Sequence, residues 1–222
     1  MRKYELTEET KTLWGGTVLH RIRALRDISR YGVKAGDLGG WIEKENNLSQ
    51  CGDAWVSGDA RVYGDAWVSG DAWVSGDAWV RGNAKIYGDA RVSGDARVRG
   101  NAWIRGNAKI YGDAWVSGDA QVCDNARVFG DACVRGNAWI RGNAKIYGDD
   151  DYMVVKNTWS SGRWFTYTRS NKKWKDGYFY GTGEELIAKA YKDSKLSGKC
   201  YEAIVRAVET IEAAKAEAKE TK

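Results

Sequence analysis

From Gly52 to Tyr147 the chain runs as sixteen consecutive hexapeptides built on Gly-Asp/Asn-Ala-x-Val/Ile-x, with no residue inserted or deleted. Self-similarity at so short and unbroken a period implies a solenoid: no single repeat can bury its own apolar face, so stability must come from stacking coil on coil. Distinct sequence on either side divides the 222 residues into a head at 1–51, the repeat tract at 52–149 and a tail at 150–222.

Within a hexad, Ala and Val/Ile alternate with period two. They point to one side of a short strand, and the residue between them points to the other. The predicted core is therefore Ala and Val/Ile. Gly and Asp/Asn tolerate positive φ and bond their own backbone, as a tight corner after every strand requires, so Asp/Asn reads as a corner residue rather than a metal ligand.

The spacing resembles that of the hexapeptide-repeat family, with an aliphatic residue every six positions and a small residue four later, as in Val56-Ser57-Gly58-Asp59-Ala60-Arg61. The resemblance implies a mainly β fold, a left-handed parallel β-helix of triangular section with three hexads per coil. Sixteen hexads then make about five coils, roughly 25 Å long at the usual strand spacing.

Three hexads per coil place residues eighteen apart above one another, in three outward columns. The first is Trp55, Trp73, Arg91, Lys109, Arg127 and Lys145; the second Arg61, Trp79, Arg97, Trp115 and Cys133; the third Trp67, Lys85, Trp103, Gln121 and Trp139. Seven tryptophans are thereby expected to face outward, and contiguous exposed aromatic area marks interaction surfaces. Trp67, Lys85, Trp103 and Trp139 are a candidate aromatic binding column, with Lys85 placed for cation–π contact. Arg91, Lys109, Arg127 and Lys145 form a candidate basic stripe beside Tyr111, Phe129 and Tyr147. Asp95, Asp113, Asp131 and Asp149 each follow one of those cations by four residues and are expected to neutralise it as surface ion pairs.

Charge adds little. Head, repeats and tail carry nine, twelve and fourteen Lys/Arg against seven, twelve and eleven Asp/Glu, a balance that excludes an acidic DNA mimic and does not by itself demand nucleic acid. No run of apolar residues reaches membrane-spanning length, so a cytoplasmic protein is expected. Cys51, Cys123, Cys133 and Cys200 lie far apart, with one histidine in the chain to join them. Free thiols, with no metal and no cofactor, are the expectation.

The head reads as a β cap closing an open solenoid end, with a strand at Thr17–Leu25 and an echo of the repeat at Gly36–Ile42. Lys3-Tyr4-Glu5-Leu6 and Arg21-Ile22-Arg23-Ala24-Leu25-Arg26-Asp27 resemble a head that precedes hexapeptide tracts in phage and prophage proteins, described only as repeat proteins or transferases. The tail reads as a small α+β domain. Strands are predicted at Tyr152–Lys156, Trp164–Arg169 and Tyr178–Tyr180, a turn at Asn171-Lys172-Lys173, then two helices, the second from about Lys199 to Lys219. Its aromatics serve a core, with Arg163, Trp164, Tyr167, Lys173 and Trp174 as candidates for recognition.

In the hexapeptide family catalysis usually rests on a histidine general base. The coils contain none, and His20 lies in the head. The preferred reading is therefore a non-catalytic binding or scaffold protein that presents Trp and Lys/Arg columns to a host partner or to itself, a trimer being the family habit. Nucleotide or nucleic-acid binding through the basic stripe is the second reading, and acyl transfer the third.

Overall fold

A computed structural model of the protein describes residues 2–220. The chain forms two compact units, one ending at Tyr152 and one beginning at Met153. In the first unit the head contributes β1 (Tyr4–Thr12), β2 (Val18–Ala24) and β3 (Leu38–Ile42), and each hexad contributes one two-residue strand, from β4 (Trp55–Val56) to β19 (Lys145–Ile146).

These strands form three parallel sheets in which each strand bonds the one eighteen residues later, as in Arg91↔Lys109, Arg97↔Trp115 and Trp103↔Gln121. The rung bonds are regular: the Arg97 N–H donates to the Ala114 carbonyl at 2.9 Å. The Ala and Val/Ile positions from Ala54 to Ile146 are all 0–1 % exposed, so the interior is the one the alternation implies. Each corner needs positive φ: Gly94 sits at +71°, and a Cβ there would lie 3.0 Å from the Gly112 nitrogen one coil on. At one corner Asp124 takes the glycine's place with φ of 61°. Its carboxylate accepts from Arg141 Nε at 2.7 Å and from the Gly142 N–H at 3.2 Å, local bonds that offset the left-handed conformation.

The boundary at residue 51 is not a structural break. β3 pairs in parallel with the Arg61–Val62 strand, Trp41 opposite Arg61, so the head is the first rung of the second sheet. The head also covers the first column. Tyr31 stacks on Trp73 with centroids 5.0 Å apart, Arg30 pairs with Asp71 and Asp89, and Arg26 donates to the Gly52 carbonyl at 2.8 Å. Gly39 lies against Trp55, where a Cβ would stand 2.7 Å from Cζ2. Trp55 is therefore 1 % exposed, which corrects the reading of seven indoles in water. Lys3 is buried beneath the same cover, its Nζ donating to the Ala54 carbonyl at 2.6 Å. Burial, with Arg26 nearby, pushes its pKa down to about 8.

At the other end, side chains seal the edge of the second sheet. Asp149 accepts from the Cys133 N–H at 3.0 Å, and the Tyr152 hydroxyl accepts from the Arg135 N–H at 3.2 Å while donating to the Cys133 carbonyl at 3.0 Å.

The second unit is a four-stranded sheet of β20 (Tyr152–Lys156, of which only Tyr152 belongs to the first unit), β21 (Trp164–Thr168), β22 (Lys173–Asp176) and β23 (Phe179–Gly181), with α1 (Gly183–Asp193) and α2 (Lys195–Glu220). Lys173 opens a strand rather than ending a turn, because Lys172 takes φ of 51° and reverses the chain one residue earlier. α2 starts four residues before the expected point. The Ser194 hydroxyl caps it by accepting from the Ser197 N–H at 3.0 Å. Among the described residues no helix is long and apolar enough to cross a membrane.

Candidate functional site

All three columns form in the predicted order, but their surroundings differ. In the third, Trp67 and Trp103 are 43 % and 39 % exposed, and Trp139 is half-buried. Lys85 Nζ lies 5.1 Å from the Trp103 ring centroid, the contact the alternation implies.

In the first column Arg91, Lys109, Arg127 and Lys145 stack in register. The rings beside them stack too, Tyr111 on Phe129 at 5.1 Å with planes 3° apart. The predicted neutralisation fails for three of the four cations: among the described residues no ion pair joins Arg91, Lys109 or Arg127 to a carboxylate. Asp149 instead pairs with Arg135 at 2.7 Å. Corner backbone fixes where each carboxylate starts, and the outward strand side chain leaves in another direction.

The second column, not singled out as a candidate from the sequence, interleaves cations and rings. Trp79 lies between two guanidiniums, Arg61 at 4.8 Å and Arg97 at 5.9 Å from its centroid, and Arg99 lies 4.3 Å from the centroid of Trp115. Trp79, Arg81, Arg97, Arg99 and Trp115 line a cleft of about 160 Å³. Arg61, Arg81, Arg97 and Arg99 have no ion pair among the described residues. Two donors there, Arg61 Nε and Trp115 Nε1, are buried without an acceptor, which costs about 1–3 kcal/mol each. Arg81 and Arg99 occupy the last hexad position and recur eighteen apart, a signal available in the sequence had that position been stacked as well.

The corners on the two sides of this face differ. Asp77, Asp95 and Asp113 stand on one side and Asn83, Asn101 and Asp119 on the other. The amides form a ladder, Asn83 Nδ2 donating to Asn101 Oδ1 at 3.0 Å and Asn101 Nδ2 to Asp119 Oδ1 at 2.9 Å. An anion meets repulsion on one flank and mainly neutral donors and acceptors on the other.

The tail candidates separate. Tyr167 and Trp174, 8 % and 2 % exposed, belong to the second unit's core with Phe165, Leu186 and Val205, so they are not recognition residues. Trp164 is 42 % exposed, with Lys156 Nζ at 5.7 Å from its ring. Lys173 is half-buried, and Arg163 lines a separate polar cleft. His20 Nδ1 lies 3.4 Å from the Thr7 carbonyl in the head sheet. All four cysteines are unpaired thiols. Among the described residues no group of three or more His, Cys, Asp or Glu side chains is placed to hold a metal.

Residues 54–70, 84–100, 90–106 and 120–137 match the model of the YdcK beta solenoid repeat. Over these coils the chain is similar to that family. No curated protein matches the chain. The matched stretches include Arg61, Arg97, Arg99 and Trp103, whereas Trp79, Arg81 and Trp115 lie between them.

Proposed function

We propose that the protein is a non-catalytic binding scaffold whose open middle coils hold an anionic partner carrying planar rings, with single-stranded nucleic acid as the chemistry that fits the second face. One observation carries this reading: among the described residues Arg61, Arg97 and Arg99 have no carboxylate partner, yet they lie over Trp79 and Trp115, and Arg81, also without one, lines the same cleft as those indoles. Guanidiniums take phosphates in a fork, and indoles take bases by stacking, so their interleaving at about 4.8 Å per coil suits a polymer that repeats both groups. Binding is tested by anisotropy of a fluorescently labelled oligothymidylate. Affinity is expected to fall with salt, at a log–log slope of about −3 for four engaged phosphates, and to drop at least tenfold in Arg97→Ala/Arg99→Ala. A flat salt response, or unchanged affinity in that variant, would sink the reading.

The exposure of Trp67 and Trp103 favours a second reading, self-association or capture of a host protein through the third face. Native mass spectrometry distinguishes them. A trimer that dissociates in Trp67→Ser/Trp103→Ser supports self-association, and a monomer in both proteins removes it. Both readings take the coil to be a left-handed, triangular helix of the hexapeptide type, from a phage or prophage protein acting in the cytoplasm of a bacterial host.

A further inference from the structure

The second unit contains a cleft of about 490 Å³ between the β20–β21 turn, the β22–β23 turn and the α1–α2 junction, within the size range of small-molecule sites. Its floor is polar and internally organised. Asn157, 1 % exposed, donates from Nδ2 to the Tyr201 hydroxyl at 2.9 Å, and that hydroxyl donates in turn to Asp176 Oδ2. Burial and the adjoining carboxylate raise the Tyr201 pKa, so the phenol keeps its proton and this bond keeps its direction. Asp176 Oδ1 has no hydrogen-bond partner among the described residues, which leaves one acceptor at the cleft.

Donors line the same cleft. Ser197 is only 7 % exposed and lines the cleft, and its hydroxyl has no hydrogen-bond partner among the described residues. Ser197 stands in the first turn of α2, where its own N–H is taken by the Ser194 hydroxyl, the Lys195 and Leu196 N–H groups lack intrahelical acceptors, and the helix dipole favours negative charge. Arg163 has no ion pair among the described residues, and Lys189 lies 3.9 Å from Asp193 at the same cleft. Two cations, serine hydroxyls and a helix start suit the three peripheral oxygens of a phosphate. Asp176 Oδ1 suits a hydroxyl donor on the same ligand.

From this complementarity we infer that the second unit binds a small phosphate monoester bearing hydroxyl groups, of the sugar phosphate or nucleoside monophosphate class. This site is independent of the solenoid faces. Isothermal titration calorimetry on the full chain tests it with ribose 5-phosphate, adenosine 5′-monophosphate and inorganic phosphate. Both esters are expected to give saturable heats and to bind more tightly than inorganic phosphate. The tighter ester assigns the source: ribose 5-phosphate if the sugar phosphate suffices, the nucleotide if a base adds contact at exposed Tyr178. Arg163→Ala is expected to weaken both esters about tenfold and Ser197→Ala about fivefold. Asp176→Asn should weaken the esters but not inorganic phosphate, and Arg97→Ala/Arg99→Ala should change none of the three. The inference is overturned by absence of saturable heat at millimolar ester. Affinities unmoved by Arg163→Ala and Ser197→Ala in protein with unchanged circular dichroism overturn it equally. Inorganic phosphate binding as tightly as the esters would remove the hydroxyl contact from the assignment.

Discussion

Trp55 and Trp103 occupy the same place in the hexad, yet one is 1 % and the other 39 % exposed. Arginines divide in the same way. Arg26 and Arg30 of the head hold Asp53, Asp71 and Asp89 at the first coils, whereas Arg97 and Arg99 on the middle coils have no ion pair among the described residues. One repeat chemistry thus serves two purposes. Under the head its outward residues complete a second layer of core, and beyond the head they are left as a surface of cations and rings. An outward ladder residue is structural or available according to whether another segment lies on it, and not according to its type.

The comparison breaks most directly at the tryptophans. Trp55→Ala should cost about 3–5 kcal/mol by emptying a filled site beneath the head, while Trp103→Ala should stay within about 1 kcal/mol. Denaturant unfolding of the two variants measures the contrast, and equal costs would mean that the head cover contributes nothing.

Backbone demands, by contrast, should ignore the cover. Gly94→Val lies on an open coil, but it places a branched side chain at φ of +71° against the Gly112 nitrogen. A loss of roughly 2–3 kcal/mol is expected from left-handed strain plus displacement, read as a fall in the unfolding midpoint.

Lys3 sharpens the covered side. Its pKa of about 8 in the folded protein lies below the ordinary 10.5, so between those values the unfolded chain binds more protons and stability rises with pH. Between about pH 8 and pH 10 the gain should be roughly 2 kcal/mol, and Lys3→Met should flatten it. Parallel pH profiles for the two proteins would refute the buried-amine account.

The smallest effect belongs to the open side. Arg97→Ala should change stability by only about 0.5 kcal/mol, the scale of one cation–π contact at an exposed site. A loss of several kcal/mol would show that the guanidinium holds the coil together and is not held in reserve for a partner.

Column membership was legible because a period of six with three hexads per coil converts sequence distance directly into vertical stacking. The candidate face was legible only in part. Trp79, Arg97 and Trp115 fall into one predicted column, but Arg81 and Arg99 belong to the neighbouring hexad position, and the cleft exists only where the two ladders meet. In the tail, aromatic density could not separate Trp164 from Tyr167 and Trp174. Phe165, Thr166 and Tyr167 are all buried on β21, so period-two alternation carries no sign of which face is covered. Asn157, Asp176 and Tyr201 lie too far apart in the chain for any spacing rule to join them.

The amino-acid sequence by itself determined the coil length, the Ala and Val/Ile interior and the order of residues in every ladder, since each follows from local periodicity and strand geometry. Tertiary structure alone decided which ladders are covered, which charges find partners and where a polar cleft opens. Those outcomes depend on segments meeting across long stretches of chain, and local periodicity does not encode such meetings.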